Sequence, residues 1–487
     1  MDRPAGDIAD RTGRRFLRAR WRLADRSGTA GRYRQGIRGG GFGHDPLPVA
    51  HDHGVDAGDR GGRGGRSVRD DRRAPGRPSV STGTARDLTD PGLYSQGEPH
   101  EVWRHLREHD PVHWQPNSGR GGGYWVVTRY ADVERVLHDY SAFTSERGTL
   151  LNLLGRGDPA AGKQLAATDP PHHDRARIPL KQALAVKPLA SFSDRIQAGI
   201  RDLLAPGADG QPFDFAVAMS QLPLVALGPI LGLPTEDYPR LIRLAMMSTA
   251  EEDPEFQLPG GVEPTLKRGH REIFAYFSDL VRARLRNPGD DLISVLAETE
   301  VDGERISTGS VISNCYSMLL GSAGTLPHVP IAAIVELAGS PTYGDWAAHP
   351  ELLDSGIEEA LRWATPASNF MRYALHPVEL SGVPVAEGDA VVAYLASANR
   401  DAKVFPDPDV FDIRRRPNRH LAFGVGHHYC VGSHLARLAL RLLFTELFAT
   451  FSSIEVVGEI ERMHSTFLAG FKRVPVAGVP RRATVEG

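Results

Sequence analysis

Hydrophobic periodicity is nearly absent from the start of the chain and sets in near residue 86. Val102, Trp103 and Leu106 space a short helix, and segments 112–114 and 124–128 carry strand patterns. Helical spacing follows over about 130–139, 174–186, 189–204, 236–250 and 266–286. Residues 308–339 predict one very long helix, which Ser307 or Thr308 can cap and Gly339 can end. At about 1.5 Å per residue it would run nearly the width of a domain. Segment 351–364 is helical, 378–396 is strand-rich, and 433–451 is amphipathic through Leu435, Leu438, Ala439, Leu442, Leu443, Leu447 and Phe448. No internal repeat is visible. The expectation is one domain over 80–487, mainly α with small β-sheets.

Composition divides the chain at the same place. Residues 1–79 hold 18 Arg, 16 Gly and 10 Asp with no Lys and no Glu, a net of +8. Residues 80–487 carry 39 basic against 50 acidic side chains, a net of −11. The first segment has too few apolar residues to offset the entropy of ordering a core, which predicts disorder. A Gly/Arg arm can bind nucleic acid, but Arg without Lys and Asp without Glu reads as compositional bias, so no nucleic-acid partner is expected. The same bias suits an extension upstream of the true start, with Val80 as the candidate start. Only two cysteines, Cys315 and Cys430, exclude a disulfide framework. No run of about 18 uninterrupted apolar residues exists; the nearest, 216–233, is broken by Gln221, Pro223 and Pro229. No membrane span and no export signal are expected, and the chain reads as cytoplasmic and monomeric.

The densest chemistry lies between His420 and Gly432. Cys430 stands just before the 433–451 helix, whose N-terminal amides and dipole favour a thiolate. Gly424, Gly426 and Gly432 permit close backbone approach around it. A zinc site from Cys430, His427, His428 and His434 is the competing reading, although structural zinc favours paired cysteines and Cys315 is 115 residues away. A buried, unreactive cysteine is another. The full pattern Phe-x-x-Gly-x-His-x-Cys-x-Gly, from Phe423 to Gly432, is more specific than either.

On that pattern the chain resembles the cytochrome P-450 family, in particular its soluble bacterial members. The resemblance implies a single heme domain with heme b (iron protoporphyrin IX) and makes Cys430 the iron ligand, its thiolate favouring O–O cleavage. Cys315 matches no family motif and reads as a core residue. Glu359-Ala360-Leu361-Arg362 matches the family's Glu-x-x-Arg, whose members share a helix face. With the later segments 398–401 and 411–415 it implies a structural lock to Arg415. Heme propionates need cationic or donor partners in an apolar pocket. The segment 169–177 resembles the one that supplies them, implying His173 and Arg177, with Arg372, His428 and Phe423 completing the cofactor set and His172 left solvated.

One motif departs from the family. Where an acid normally precedes the groove threonine of the long helix, this chain reads Gly321-Ser322-Ala323-Gly324-Thr325. Thr325 is kept and Gly324 replaces the proton-relay acid. Pro327 and Pro330 follow, each removing a donor and clashing with a carbonyl four residues back, so the helix should kink or break there. Thr325, Ser322 and the freed Ala323 carbonyl are the expected water-holding groups, and His328 is either a second relay or a core residue.

The resemblance implies a monooxygenase acting on a small organic molecule, with a secondary metabolite as the analogy's suggestion. Electrons would come from ferredoxin and ferredoxin reductase, because no flavin or nicotinamide module is recognisable, and Arg437 and Arg441 are candidate docking cations. Segments 146–160, 235–262, 316–325, 366–371 and 466–471 would surround the pocket, bringing Leu150, Leu151, Leu153, Leu154, Phe370 and Phe467 into a mostly apolar wall. The Gly324 departure leaves atypical chemistry open on the same heme: peroxide use, aryl coupling, nitration or redox-neutral rearrangement. A noncatalytic heme or gas-binding protein, and a helical scaffold without heme, are the remaining readings.

Overall fold

The computed structural model describes residues 87–481 apart from 98, 118–121 and 302. The Gly/Arg-rich segment 1–79, and with it the expectation of disorder or a misassigned start, lies outside the described residues.

Helices supply most of the structure, as the periodicity predicts. Those of nine residues or more are α1 (His100–His109), α2 (Tyr130–His138), α3 (His172–Ala183), α4 (Ser193–Leu204), α5 (Leu222–Leu231), α6 (Tyr238–Thr249), α7 (Val262–Arg286), α8 (Thr308–Ala323), α9 (His328–Leu337), α10 (Leu353–Ala364) and α11 (Ser433–Thr450). Each outer helix buries one stripe. Ile196, Ile200 and Leu204 of α4 and Ile273, Phe277 and Val281 of α7 recur every four residues and are fully or almost fully enclosed. α5 is apolar nearly all round and buries nine of its ten residues, so it is a core helix. Its prolines, which break the 216–233 run in the sequence, sit near its start and within its last turn.

Two sheets of three or more strands and three two-stranded pairs complete the described structure. The strands of the two larger sheets are β1 (Val112–Pro116), β2 (Gly123–Val127), β3 (Phe143–Thr144), β4 (Phe213–Asp214), β5 (Asn369–Ala374), β6 (Ala390–Tyr394), β7 (Phe451–Val456) and β8 (Pro475–Pro480). One sheet runs β1-β2-β6-β5-β3 and the other β7-β8-β4. Only the β2–β6 pairing is parallel in the first, with Trp125 opposite Val391, and Val391 in turn faces Arg372 on β5. That register sets Arg372 inside the molecule.

The expected single helix over 308–339 is two. Ser307 caps α8, its side chain accepting from Ser310 N–H, and the helix stops at Ala323. Residues 324–327 form a turn before α9 starts at His328. The physical reason is proline. Restarting at His328 puts Pro330 in a first turn, where a missing N–H costs nothing, whereas a continuous helix would drive it against the Leu326 carbonyl. Taken together, 308–337 is long and apolar enough to cross a membrane, but most of it is buried against the domain's own core.

Candidate active site

The cysteine loop is built as its glycines suggest. Gly424 and Gly426 take φ of 68° and 72°, a region that strains side-chain-bearing residues. The chain thereby folds back so that Cys430 N–H donates to the Phe423 carbonyl at 2.8 Å. Cys430 exposes much of its surface although protein encloses it, so its sulfur faces an internal space. Burial pushes the thiol's pKa up, while Gly432 and Ser433 N–H groups and the charges of Arg177 and Arg437 favour the thiolate. The helix-start support expected for a thiolate is present, but without a metal desolvation outweighs it.

A buried ionic lock holds this loop. Arg362 and Glu359 are both fully enclosed, with Nε to Oε2 at 2.8 Å and Nη2 to Oε1 at 2.7 Å. Arg415 Nε reaches Glu359 at 3.1 Å, as the family motif implies, and Asp412 N–H and Asn418 Nδ2 donate to the same carboxylate. Arg362 Nη1 continues to the Asn399 carbonyl at 2.9 Å, and Asn399 Oδ1 accepts from Leu421 N–H at 2.7 Å. The lock thus ends at the first residues of the cysteine loop.

The four residues expected to meet propionates converge. His173 is completely buried and its ring centroid lies 4.5 Å from that of His428. Arg177, one helical turn along α3, donates to the Tyr429 carbonyl. Arg372 is buried, with Nη1 donating to the Met371 carbonyl at 2.8 Å, and burial lowers its pKa to about 10 against the pull of Asp169. Burial also brings His428 to about 4 and lowers His173. The Nε2 atoms of His173 and His428 are buried without a hydrogen-bond partner; the ion-pair separation from His428 Nε2 to Asp169 is 3.7 Å, too long for a hydrogen bond. His172 is exposed, as expected.

Asp169 is a neighbour whose role the sequence does not reveal. It accepts from Ser145 Oγ at 2.6 Å and Thr144 Oγ1 at 2.5 Å; burial raises its pKa, but the nearby His428 imidazole and these two hydroxyls together hold the carboxyl below the usual range. The side chains close enough to share a metal ion among the described residues are His173, Asp174 and His427. Neither Cys430 nor His434 joins them, which removes the support for the zinc reading.

The two candidate docking cations are ion-paired. Arg437 Nε and Nη2 donate to Glu358 at 2.6 and 2.8 Å, and its guanidinium lies 4.6 Å over Phe423. Arg441 pairs with Asp354. Burial tends to raise Glu358, yet Arg437 and His420 hold it at about 2.

The α8–α9 break carries Thr325. Its Oγ1 donates to the Gly321 carbonyl at 2.5 Å, leaving lone pairs free to accept. The Ser322 carbonyl takes Leu326 N–H at 3.1 Å, while Ala323 loses its partner because Pro327 has no N–H. A Cβ on Gly324 would meet Leu320 O at 3.2 Å and Leu468 Cδ2 and Thr249 Oγ1 at 3.4 Å. The missing acid therefore accompanies close approach of α6 and the 465–470 segment to the break. His328 is a core residue: Phe471 N–H points to its Nδ1 at 3.4 Å, and burial lowers its pKa to about 4. Cys315 is fully buried in the core. Phe370 and Phe467 meet with centroids 5.8 Å apart, bringing two of the expected wall segments together.

Comparison with known proteins bears on this arrangement. The family profile described as Cytochrome P450 matches residues 331–473. Cytochrome P450 NovI of Streptomyces niveus is 32% identical over 82% of this chain and 98% of its own length. Linalool 8-monooxygenase of Pseudomonas putida is 33% identical over 81% and 99%. The crystal structure of P450 OxyD, involved in the biosynthesis of vancomycin-type antibiotics, superposes with a TM-score of 0.73 at 31% identity, covering 81% of this chain and all of that one. Fold and site define a heme-binding oxidoreductase of the monooxygenase class. The chain belongs to the cytochrome P450 family, and its cofactor is heme b.

The residues present fit that group. Two orphaned imidazole nitrogens, a buried guanidinium and a half-buried one form a donor set for carboxylates, beside a sulfur that faces an internal space.

Proposed function

We propose that this enzyme oxidises a small organic molecule, a secondary metabolite, in the cytoplasm as a monomer, with electrons from ferredoxin and ferredoxin reductase. The observation that carries it is the enclosed but open Cys430 sulfur, together with the unpartnered imidazole nitrogens of His173 and His428. The similarity to OxyD, which is involved in the biosynthesis of vancomycin-type antibiotics, supports the substrate class.

Cys430 would ligate the heme iron, and His173, Arg177, Arg372 and His428 would hold the propionates, with Phe423 packed beneath the loop. When bound, the heme supplies oxygen activation at a thiolate-ligated metal. The protein's share is positioning and proton supply. Thr325 Oγ1 accepts a hydrogen bond from water while its own proton goes to Gly321 O; the Ala323 carbonyl and Ser322 hydroxyl can hold the same water. Gly324 adds no carboxyl to this chain, so the proton comes through ordered water or a polar group of the substrate.

The test is a carbon monoxide difference spectrum, then a substrate-library screen by heme spin-state shift, then turnover with surrogate ferredoxin. Absence of the thiolate-heme band defeats the reading. Gly324 also favours a second reading, in which the same heme performs peroxide-driven, coupling, nitrating or redox-neutral chemistry. Coupling of electron consumption to product separates the two. Poor coupling on the true substrate, rescued by Gly324→Asp, would refute an adapted proton route.

A further inference from the structure

We infer that His173, Asp174 and His427 form a binding site for one divalent transition-metal ion beside the cysteine loop. Two elements build it: His173 and Asp174 stand in the first turn of α3, and His427 lies on the short turn Gly426–His428. His173 Nδ1 is 3.1 Å from Asp174 Oδ1, His427 Nδ1 is 2.9 Å from the same oxygen, and the three ligand atoms all lie within 4.8 Å of one another. Ligands of a tetrahedral zinc, each at about 2.0–2.2 Å from the ion, stand roughly 3.3–3.6 Å apart, so small side-chain adjustments admit it. Both rings are held. Gly426 seats the turn against the end of α2, where a Cβ would stand 3.0 Å from His138 Cα. His427 meets the Tyr140 ring edge-on with centroids 4.6 Å apart, while His173 packs against His428. His173 is fully enclosed, whereas the Asp174 and His427 side chains are 51% and 34% exposed, which gives an ion its route in.

Two imidazoles and a carboxylate suit a borderline ion such as zinc and leave a further position for water. Hydrogen bonds alone leave His173 in conflict, because a neutral imidazole carries one N–H. Placed on Nδ1, the proton serves Asp174 but leaves the buried, partnerless Nε2 as a bare lone pair, unable to donate to the propionate that the proposed function sets against it. Placed on Nε2, it leaves the Nδ1 lone pair facing a carboxylate oxygen. A metal ion between Nδ1 and Oδ1 takes both lone pairs and keeps Nε2–H as a donor; histidines that bind metals characteristically donate their other N–H to a carboxylate. A second proton on the ring would serve the same contacts, but burial and the Arg177 charge oppose it more than Asp174 favours it. The choice of tautomer rests on the heme reading above; the convergence of three ligand atoms does not. Bound there, the ion ties the start of α3 to the cysteine loop without using Cys430.

The test titrates zinc alone into the full-length, heme-loaded protein, its affinity read by competition with a chromophoric chelator. Asp174→Asn keeps a hydrogen-bonding oxygen for both rings but no carboxylate, and His427→Ala removes one imidazole. Each should weaken the tightest zinc by at least about tenfold, since losing even an outer partner of a metal site costs about 10–100-fold. His172→Ala, the exposed neighbour on the same turn of α3, should leave the affinity unchanged. Zinc-edge X-ray absorption on the one-to-one complex should show nitrogen and oxygen ligands at about 2.0–2.2 Å and no sulfur. A sulfur shell at about 2.3 Å would put the zinc on a cysteine and overturn the site. So would a native chain that binds no zinc, or equal affinity in the native protein, Asp174→Asn and His427→Ala, the result expected if protons alone bridge the three groups. A missing carbon monoxide band would instead defeat the heme reading, with the zinc affinities still deciding the metal site.

Discussion

Replacing Arg362 by alanine tests whether the buried lock, more than the helices around it, sustains the cysteine loop. Arg362 makes two charge-assisted bonds to Glu359 and reaches the carbonyls of Asn399, Pro408 and Val410. Pro408 and Val410 keep donors from Arg400 and Arg415, so the Asn399 carbonyl is the one left bare. Glu359 would stay completely buried, with Arg415 Nε as its remaining charged donor. Removing one partner of a buried pair costs about 3–5 kcal/mol, a large part of the roughly 5–15 kcal/mol that stabilises a domain. Arg104→Ala breaks an ion pair whose members are each 47% exposed, and should cost under about 1 kcal/mol. Urea unfolding followed by circular dichroism gives both values, and heme-to-protein ratios give the consequence at the loop. Arg362→Ala should lower the midpoint and the heme content together, through Asn399 and Leu421. Arg362→Lys should recover only part, because one ammonium cannot serve Glu359 and three carbonyls in a planar fork. If Arg362→Ala and Arg104→Ala cost the same, the lock is not what holds the loop.

Cys430→Ser should abolish the thiolate-heme carbon monoxide band, whereas Cys315→Ser, in the core, should retain it and lose only stability. His328 is neutral when folded, with a pKa near 4 against 6.5 when unfolded, so its contribution is complete above pH 6.5 and is lost as pH falls through 4. That difference is worth about 3 kcal/mol; a pH series of urea midpoints should show a shallower acid slope for His328→Gln, and parallel slopes would refute the assignment. Gly324→Ala places a Cβ 3.2 Å from Leu320 O, so the gain of about 0.4–1 kcal/mol from a stiffer unfolded chain should be cancelled; a thermal midpoint several degrees higher would show that the break has room to spare.

Much of this molecule can be read from residue spacing because its determinants are local. The α3, α7 and α11 patterns, the glycines of the cysteine loop and the Glu359–Arg362 spacing each describe a few turns of chain, and the structure places them as expected. Prolines mislead where position within a helix decides their effect. Pro223 sits near the start of α5 and is harmless, while Pro327 and Pro330 end one helix and begin another. The ion pairs of the two candidate docking arginines were illegible for a different reason: their partners, Glu358 and Asp354, come from α10, distant in sequence.

The same limit governs the oxidation site. Gly324 announces a missing acid in a local motif, but what fills the vacated volume comes from Thr249, 75 residues earlier, and Leu468, 144 residues later. A Cβ at 324 would already stand 3.2 Å from Leu320 O, and an aspartate there would have to find room beside Thr249 and Leu468. The missing acid and the packing of α6 and the 465–470 segment on the break are therefore linked. Gly324→Asp should consequently lower the thermal midpoint as well as alter the coupling of electrons to product. If it alters coupling while the midpoint stays fixed, the break has room for the acid and the packing does not account for its loss.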